Sequence, residues 1–395
     1  MNSLPNSQIS AMSDFIPREL LADVLVRLPV ISLFRCRRVS KSWRDLIDSP
    51  CFTQLYLKRS PPNSKVIVAL QRGGAFYAFD WVHEWDGGSH YRASNPKKLE
   101  NHLSDFLVGQ VQIVGSSNGI LCLWNITKDG HVLWNPWINK FSILPPLPVD
   151  CKNGGSYCVG AAFGSDHSND DYKVVKWFKL ASYMSWELDD ASFDGYEDSS
   201  FDGYEFCVYS LKLNSWRRIK DAMPHEMPQA HDCTFVNGAL YFLVQEKMKF
   251  GYHDNFIVAF DLGSEEFRRI STVPHSPRFK EVYEYHHLCS LNGRLACIST
   301  YTERLFGELW VMVDDGAKRS WTLFACINIG LSGSDCRVMA VSERSKKMLL
   351  QVGKKLALYD IENRSIRDVI INDKPSCITS CTCVRGFVSP CSSLG

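Results

Sequence analysis

Four cysteines crowd the end of the chain, Cys377, Cys381, Cys383 and Cys391 in "CITSCTCVRGFVSPC". Four thiolates could hold zinc, but the paired spacing of a structural zinc site is only half met, so ordinary tail cysteines near or beyond the last blade are the better reading. His286, His287 and Cys289 in "EYHHLC" form the other ligand-like group. Their pattern alternates like a strand, which points adjacent histidines to opposite faces and defeats joint ligation. A phosphate-cradling G-x-x-x-x-G-K-[ST] run is missing, and so is a G-x-S-x-G nucleophile elbow. Paired carboxylates or a copper site would have to converge from several elements at once, which linear spacing does not display. These residues predict a chain that is not an enzyme and uses no metal or cofactor. Fifteen cysteines are diluted over 395 residues, and the start, "MNSLPNSQISAMSD", does not read as a secretory signal. Reduced thiols are expected.

The elements that would position such residues change character at Pro61-Pro62. Before that break the period is helical. Leu20, Leu21, Val24, Leu25 and Leu28 recur along one helix, with Pro17 suited to its first turn and Pro29 to its end. A second short helix is expected after Ser32, and a third behind Ser40 as N-cap, with Asp48, Ser49 and Pro50 ending the run. After the break come short strands rich in Val, Ile, Tyr, Phe and Trp, such as "KVIVAL", "ILCLWN", "YKVVKWF" and "FIVAFDL".

Faint repeats organise those strands. "WNPWINKFSIL" from Trp134, "YSLKLNSWRRI" from Tyr209, "FDLGSEEFRRI" from Phe260 and "YDIENRSIRDV" from Tyr359 share one frame, and "WVMVDDGAKRSW" from Trp310 fits with a longer turn. Each reads as a hairpin whose end residues share a sheet face. Upstream, Asn118-Gly119, Asn237-Gly238 and Asn292-Gly293 offer the positive φ angles of tight hairpin turns. The later units recur at roughly fifty residues, the spacing of kelch-type blades, and about six blades are counted. Paired glycines stand at 73–74, 87–88 and 154–155 without regular placement, so the expected all-β domain is a divergent kelch-like propeller. One stretch breaks the pattern. Glu187 to Glu205 holds eight acidic residues and duplicates "SFDGYE", and it reads either as a solvated insertion in the third blade or as a loop for a basic partner.

The helical module has more apolar side chains than it can hide. Leu25, Leu33, Val39, Trp43 and Leu46 are assigned to a small shared core, which leaves Ile16, Leu20, Leu21, Val24 and Leu28 needing a cover. The β domain is one candidate cover. Nucleic acid is another, since Phe15 to Arg59 has nine basic and four acidic residues, but "SKSWRDLI" lacks the polar face of a recognition helix. A protein with an apolar groove and an acidic rim suits a helix edged by Arg18, Arg27, Arg35, Arg37 and Arg38. The formal net charge of +1 offers no global attraction to nucleic acid or anionic membrane. No segment reaches the roughly eighteen apolar residues of a membrane-spanning helix. A cytoplasmic or nuclear location is expected.

"IPRELLADVLVRLPVISLFRCRRVSKSWRDLIDSPCF" resembles an F-box of the plant type, with Ile16 where Leu is usual and one extra Arg in "RCRRVSKSW". "WNPWINKFSILPPLP", "DDYKVVKWF", "VYSLKLNSWRRI" and "FVSP" resemble phrases of the F-box-associated and kelch-like domains that follow it. The resemblance implies a three-helix F-box module at 14–60 behind a flexible start at 1–13, a β-propeller at 61–376 and a tail at 377–395. It also implies a non-catalytic substrate receptor of an SCF-type ubiquitin ligase. The F-box would dock a Skp-type adaptor, and through it a cullin-RING assembly, by way of Ile16, Pro17, Leu20, Leu21, Val24, Leu28 and Pro29. Val39 and Trp43 would support them from the core, and the β domain would hold a protein client of unknown identity. A propeller scaffold uncoupled from ubiquitin transfer is the alternative.

Overall fold

A computed structural model of the chain describes residues 17–28, 30–59, 65–71, 74–80, 91–92, 94–148, 157–181, 201–219, 233–247, 253–274, 284–301, 306–314, 319–328, 336–342, 346–370 and 379–391. Four short helices come first: α1 (Arg18–Leu25), α2 (Val30–Cys36), α3 (Lys41–Ile47) and α4 (Pro50–Arg59). Ser40 caps α3 as its residue type demands, its Oγ accepting the Trp43 N–H at 3.1 Å. The three-helix expectation is corrected by α4. Ser49 Oγ accepts the Phe52 N–H at 3.3 Å, and Pro50 takes the first helical position, where its missing N–H costs nothing. The triplet read as a stop is therefore also a start. Helix α2 begins at Val30, before the expected Ser32.

Six sheets, antiparallel except where residues 91–92 join one edge in parallel, follow as the blades of a propeller. Blades two to six are built in chain order: 111–143, 157–219, 233–272, 284–328 and 336–370. Blade one is assembled from both ends of the domain. Strands Lys65–Gln71, Ala75–Asp80 and Ser94–Leu99 receive Thr379–Val384 as their innermost neighbour, Val66 lying opposite Cys383 and Val68 opposite Cys381. The stretch expected as a tail at 377–395 thus supplies the strand that closes the ring. Six apolar clusters, each shared by two adjacent blades, run round it without a gap, the last joining Ile67 and Phe79 of blade one to Leu349 and Val369 of blade six. Closure leaves few exposed edges, which is how so many short strands stay soluble.

The turns obey the repeat frame. In the hairpins joining first and second strands, Asn118, Asn237 and Asn292 have φ of 53°, 47° and 50°, and the glycine after each is positive too. In the hairpins joining third and fourth strands, the sixth residue of the frame turns left-handed each time: Asn139, Asn214, Glu265 and Arg364, at φ 51°, 48°, 59° and 50°. The first and eighth positions then face each other, as Trp134 with Phe141, Tyr209 with Trp216, Phe260 with Phe267 and Tyr359 with Ile366. The turn of the longer repeat from Trp310 and most of the acidic duplication lie outside the described residues. The duplication's last residues, 201–205, open the third strand of blade three.

The ligand-like groups take ordinary places. Cys381 and Cys383 sit on the closing strand, and burial pushes the Cys383 thiol up to about 11. Cys391 is exposed, and Cys377 lies outside the described residues. His286 is buried, with Nδ1 2.9 Å from Ser299 Oγ.

Candidate docking site

Helix α1 divides the apolar surplus by its geometry. A turn of 3.6 residues puts Leu21 and Leu25 on one face and Leu20 and Val24 on the next. Leu21 and Leu25 are buried with Leu33, Leu46, Ile47, Phe52 and Tyr56, while Leu20 and Val24 stand 57% and 60% exposed. At a spacing of four residues those two form one ridge. Leu28 is half-buried against the core, and Pro17 is exposed at the helix entry. Ile16 and Pro29 lie outside the described residues.

Among the residues assigned to the small core, Leu25, Leu33 and Leu46 are buried in it and Trp43 packs against it half-buried. Val39 is not in it. It ends the turn after α2 and is 47% exposed. Leu21 was expected among the residues needing a cover, and it lies inside because the core is larger than three helices could make it. Phe52 and Tyr56 from α4 enlarge it, and so does Phe387 from beyond the ring's closing strand. Phe387 lies 5.8 Å from the Phe52 ring, with Trp137 and Ile138 of blade two packed around.

The segment bearing Phe387 is held from both sides. Trp137 Nε1 donates to the Val384 carbonyl oxygen at 3.1 Å, and Asn135 Nδ2 donates to those of Gly386 and Val388 at 3.1 and 2.8 Å. The Arg385 guanidinium lies 5.8 Å from the Trp137 ring. Gly386 crosses the Asn118-Gly119 turn so closely that a Cβ would run into the Asn118 carbonyl. Sequence reasoning missed this seam. Its signal was "FVSP" with "WNPW", distant in the chain and adjacent only in the fold.

Basic side chains outnumber acidic ones around the ridge, where Glu19 and Asp45 are also exposed. Arg18, Arg27, Arg35, Arg38, Lys41 and Arg44 are exposed, while Arg37 pairs with Asp48 at 2.6 Å. An apolar ridge within a largely basic margin fits a protein partner of opposite pattern.

Residues 15–55 match the F-box domain family, and residues 66–388 match the F-box associated beta propeller domain family. F-box protein CPR1 of Arabidopsis thaliana is 28% identical, covering 95% of this chain and 89% of its own length. A putative F-box protein of the same plant is 30% identical over 66% of this chain and 61% of its own. Among solved structures, an oligogalacturonate lyase in complex with manganese aligns over 77% of this chain and 73% of that one, at 10% identity and a TM-score of 0.40. That likeness is too distant to bear on activity. With a helical docking module before a six-bladed ring, the chain belongs to the F-box proteins that carry the associated β-propeller domain.

Proposed function

We propose that the chain is the substrate receptor of an SCF-type ubiquitin ligase. Its F-box docks a Skp-type adaptor, and its propeller holds the protein to be ubiquitinated. The observation that carries this is the exposure of Leu20 and Val24 on a helix whose neighbouring face is fully packed, with the propeller covering α4 and leaving the ridge to solvent. Burying both against an adaptor is worth about 1.5–3 kcal/mol each. Pro17, Leu28 and the residues at 16 and 29 extend the contact, while Leu21 shapes it from inside.

The receptor works by proximity. Holding a client beside a ubiquitin-charged thioester raises the effective concentration of its lysines, which needs geometry and no acid or base from this chain. The seam at Phe387 serves that geometry by fixing the module to the ring. Such a receptor operates in the cytoplasm or nucleus.

Co-elution of the full chain with a Skp-type adaptor tests the reading. Leu20→Asp with Val24→Asp should abolish co-elution and leave the melting temperature unchanged. Adaptor retained by the folded double variant overturns it.

A further inference from the structure

Ten large apolar side chains are exposed among the described residues. Leu20, Val24 and Val39 belong to the F-box, four are scattered, and the remaining three converge. Val313, Leu323 and Phe324, exposed by 39%, 42% and 40%, line one groove with Val311 and Val341, where blade five meets blade six. The groove encloses about 440 Å³. That volume is in the range of pockets that hold ligands of several side chains' size.

The local backbone explains why two consecutive large side chains open outward. Leu309 pairs with Ala325 and Trp310 with Leu323, so Phe324 is the extra residue of a β-bulge. In a regular strand Leu323 and Phe324 would point to opposite faces; a bulge re-aims one of them. Their strand, Arg319–Asn328, is the outermost of its blade. In blade six the corresponding strand is joined by residues 91–92 in parallel, whereas no described strand joins the outer edge at blade five. Tyr359 Oη takes up the Cys326 carbonyl and the Asn328 N–H at one end of that edge, at 3.3 and 3.4 Å, and an unjoined edge beside Leu323 and Phe324 suits an added extended strand. Arg294, exposed on the tight turn after Asn292, is the single charged side chain among the described lining residues, and none of the described residues forms an ion pair with it.

We propose that this groove is the client-docking site, taking an extended segment with apolar side chains for Leu323 and Phe324 and a carboxylate for Arg294. This rests on the receptor reading above. The 291–294 turn matches in position the blade-two turn against which Gly386 packs, so the groove opens toward the F-box end of the ring. It lies three blades away from blade two, across the channel from the seated F-box.

Selection of a random nonapeptide library displayed on phage against the immobilised full chain tests the assignment. The expected consensus has apolar residues at alternate positions and one Asp or Glu. Arg294→Glu should weaken the selected acidic peptide by about tenfold or more and turn selection toward Lys or Arg at that position. Phe324→Asp should remove the consensus. No acidic enrichment, or a consensus that both variants keep, overturns the assignment. Self-association of the wild type that Phe324→Asp abolishes in sedimentation velocity would give the groove to a second copy, and overturns it equally. Arg294→Glu changes an exposed turn, so it remains informative should Phe324→Asp misfold. Adaptor co-elution, read on the same variants, should be untouched, which separates failure of the groove from failure of the receptor reading.

Discussion

Phe387 stands edge-on to Tyr56, their ring centroids 5.2 Å apart at 71°, and this pair ties the segment after the ring's closing strand to the last helix of the F-box. Edge-to-face packing adds about 0.5–1.5 kcal/mol to what burial of the two rings contributes. Because the closing strand runs directly into the module's core, the F-box interior is complete only with the segment that follows the ring's last strand.

Loosening that segment should therefore be felt in the helices before it is felt in the blades. Phe387→Ala is expected to cost about 3–5 kcal/mol of local stability, the usual loss for a buried aromatic. Hydrogen exchange should quicken at α4 amides and stay slow at the second strand of blade four. Gly386→Ala, whose added carbon meets the Asn118 carbonyl, should produce the same pattern. Equal quickening in both places would show that the seam holds the whole ring.

Adjacent leucines on α1 should behave oppositely. Leu21→Ala empties a packed position and should cost about 2–5 kcal/mol, whereas Leu20→Ala, already in water, should stay within about 0.5 kcal/mol. Adaptor affinity should invert that order once each is compared at a temperature where both variants are folded. Chemical denaturation and calorimetric titration give the two numbers.

Lys176 is wholly buried between blades two and three, ion-paired to Asp129 and 5.6 and 5.3 Å from the rings of Trp124 and Phe178. Removing the partner of a buried charge costs more than removing the charge. Asp129 sits at φ 52°, which Asn tolerates, so Asp129→Asn isolates the electrostatic loss. It should destabilise by about 3 kcal/mol. Lys176→Met, similar in length and apolar, should cost less. Urea unfolding of the two variants decides it.

His131 should make the ring sensitive to acid. Burial first, and then the Lys176 ammonium, hold its pKa down to about 3 against an ordinary 6.5. The unfolded chain therefore binds a proton that the folded chain refuses. Stability from this group is complete above pH 6.5 and is lost as pH falls toward 3. His131→Phe keeps a ring against Trp124, which His131 stacks on at 5.9 Å. Between pH 7 and pH 5 the wild type should lose about 1–2 kcal/mol more than the variant. Parallel melting curves for the two proteins would contradict this.

Turn chemistry made much of the architecture legible. A left-handed residue in a two-residue hairpin selects Asn-Gly, so three such pairs mark three first hairpins, and the aromatic spacing in "YSLKLNSWRRI" and its relatives marks the facing pair of the second. Six blades follow from counting. The F-box was legible for the same local reason: the Ser40 cap and the apolar periodicity of α1 are written within a few turns of helix.

What the sequence determined by itself is the local set: the first helix, the Ser40 cap, the hairpin turns, a count of about six blades and the existence of an apolar excess near the amino end. Tertiary structure alone decided which of that excess meets water. Leu21 is sheltered, and Leu20 is not, because α4 and Phe387, more than 360 positions along the chain, enlarge one core. The closing strand and the groove of Val313, Leu323 and Phe324 were hidden for the same reason. Short-range periodicity states how apolar a face is, whereas its cover is set by whatever distant segment the folded chain brings against it.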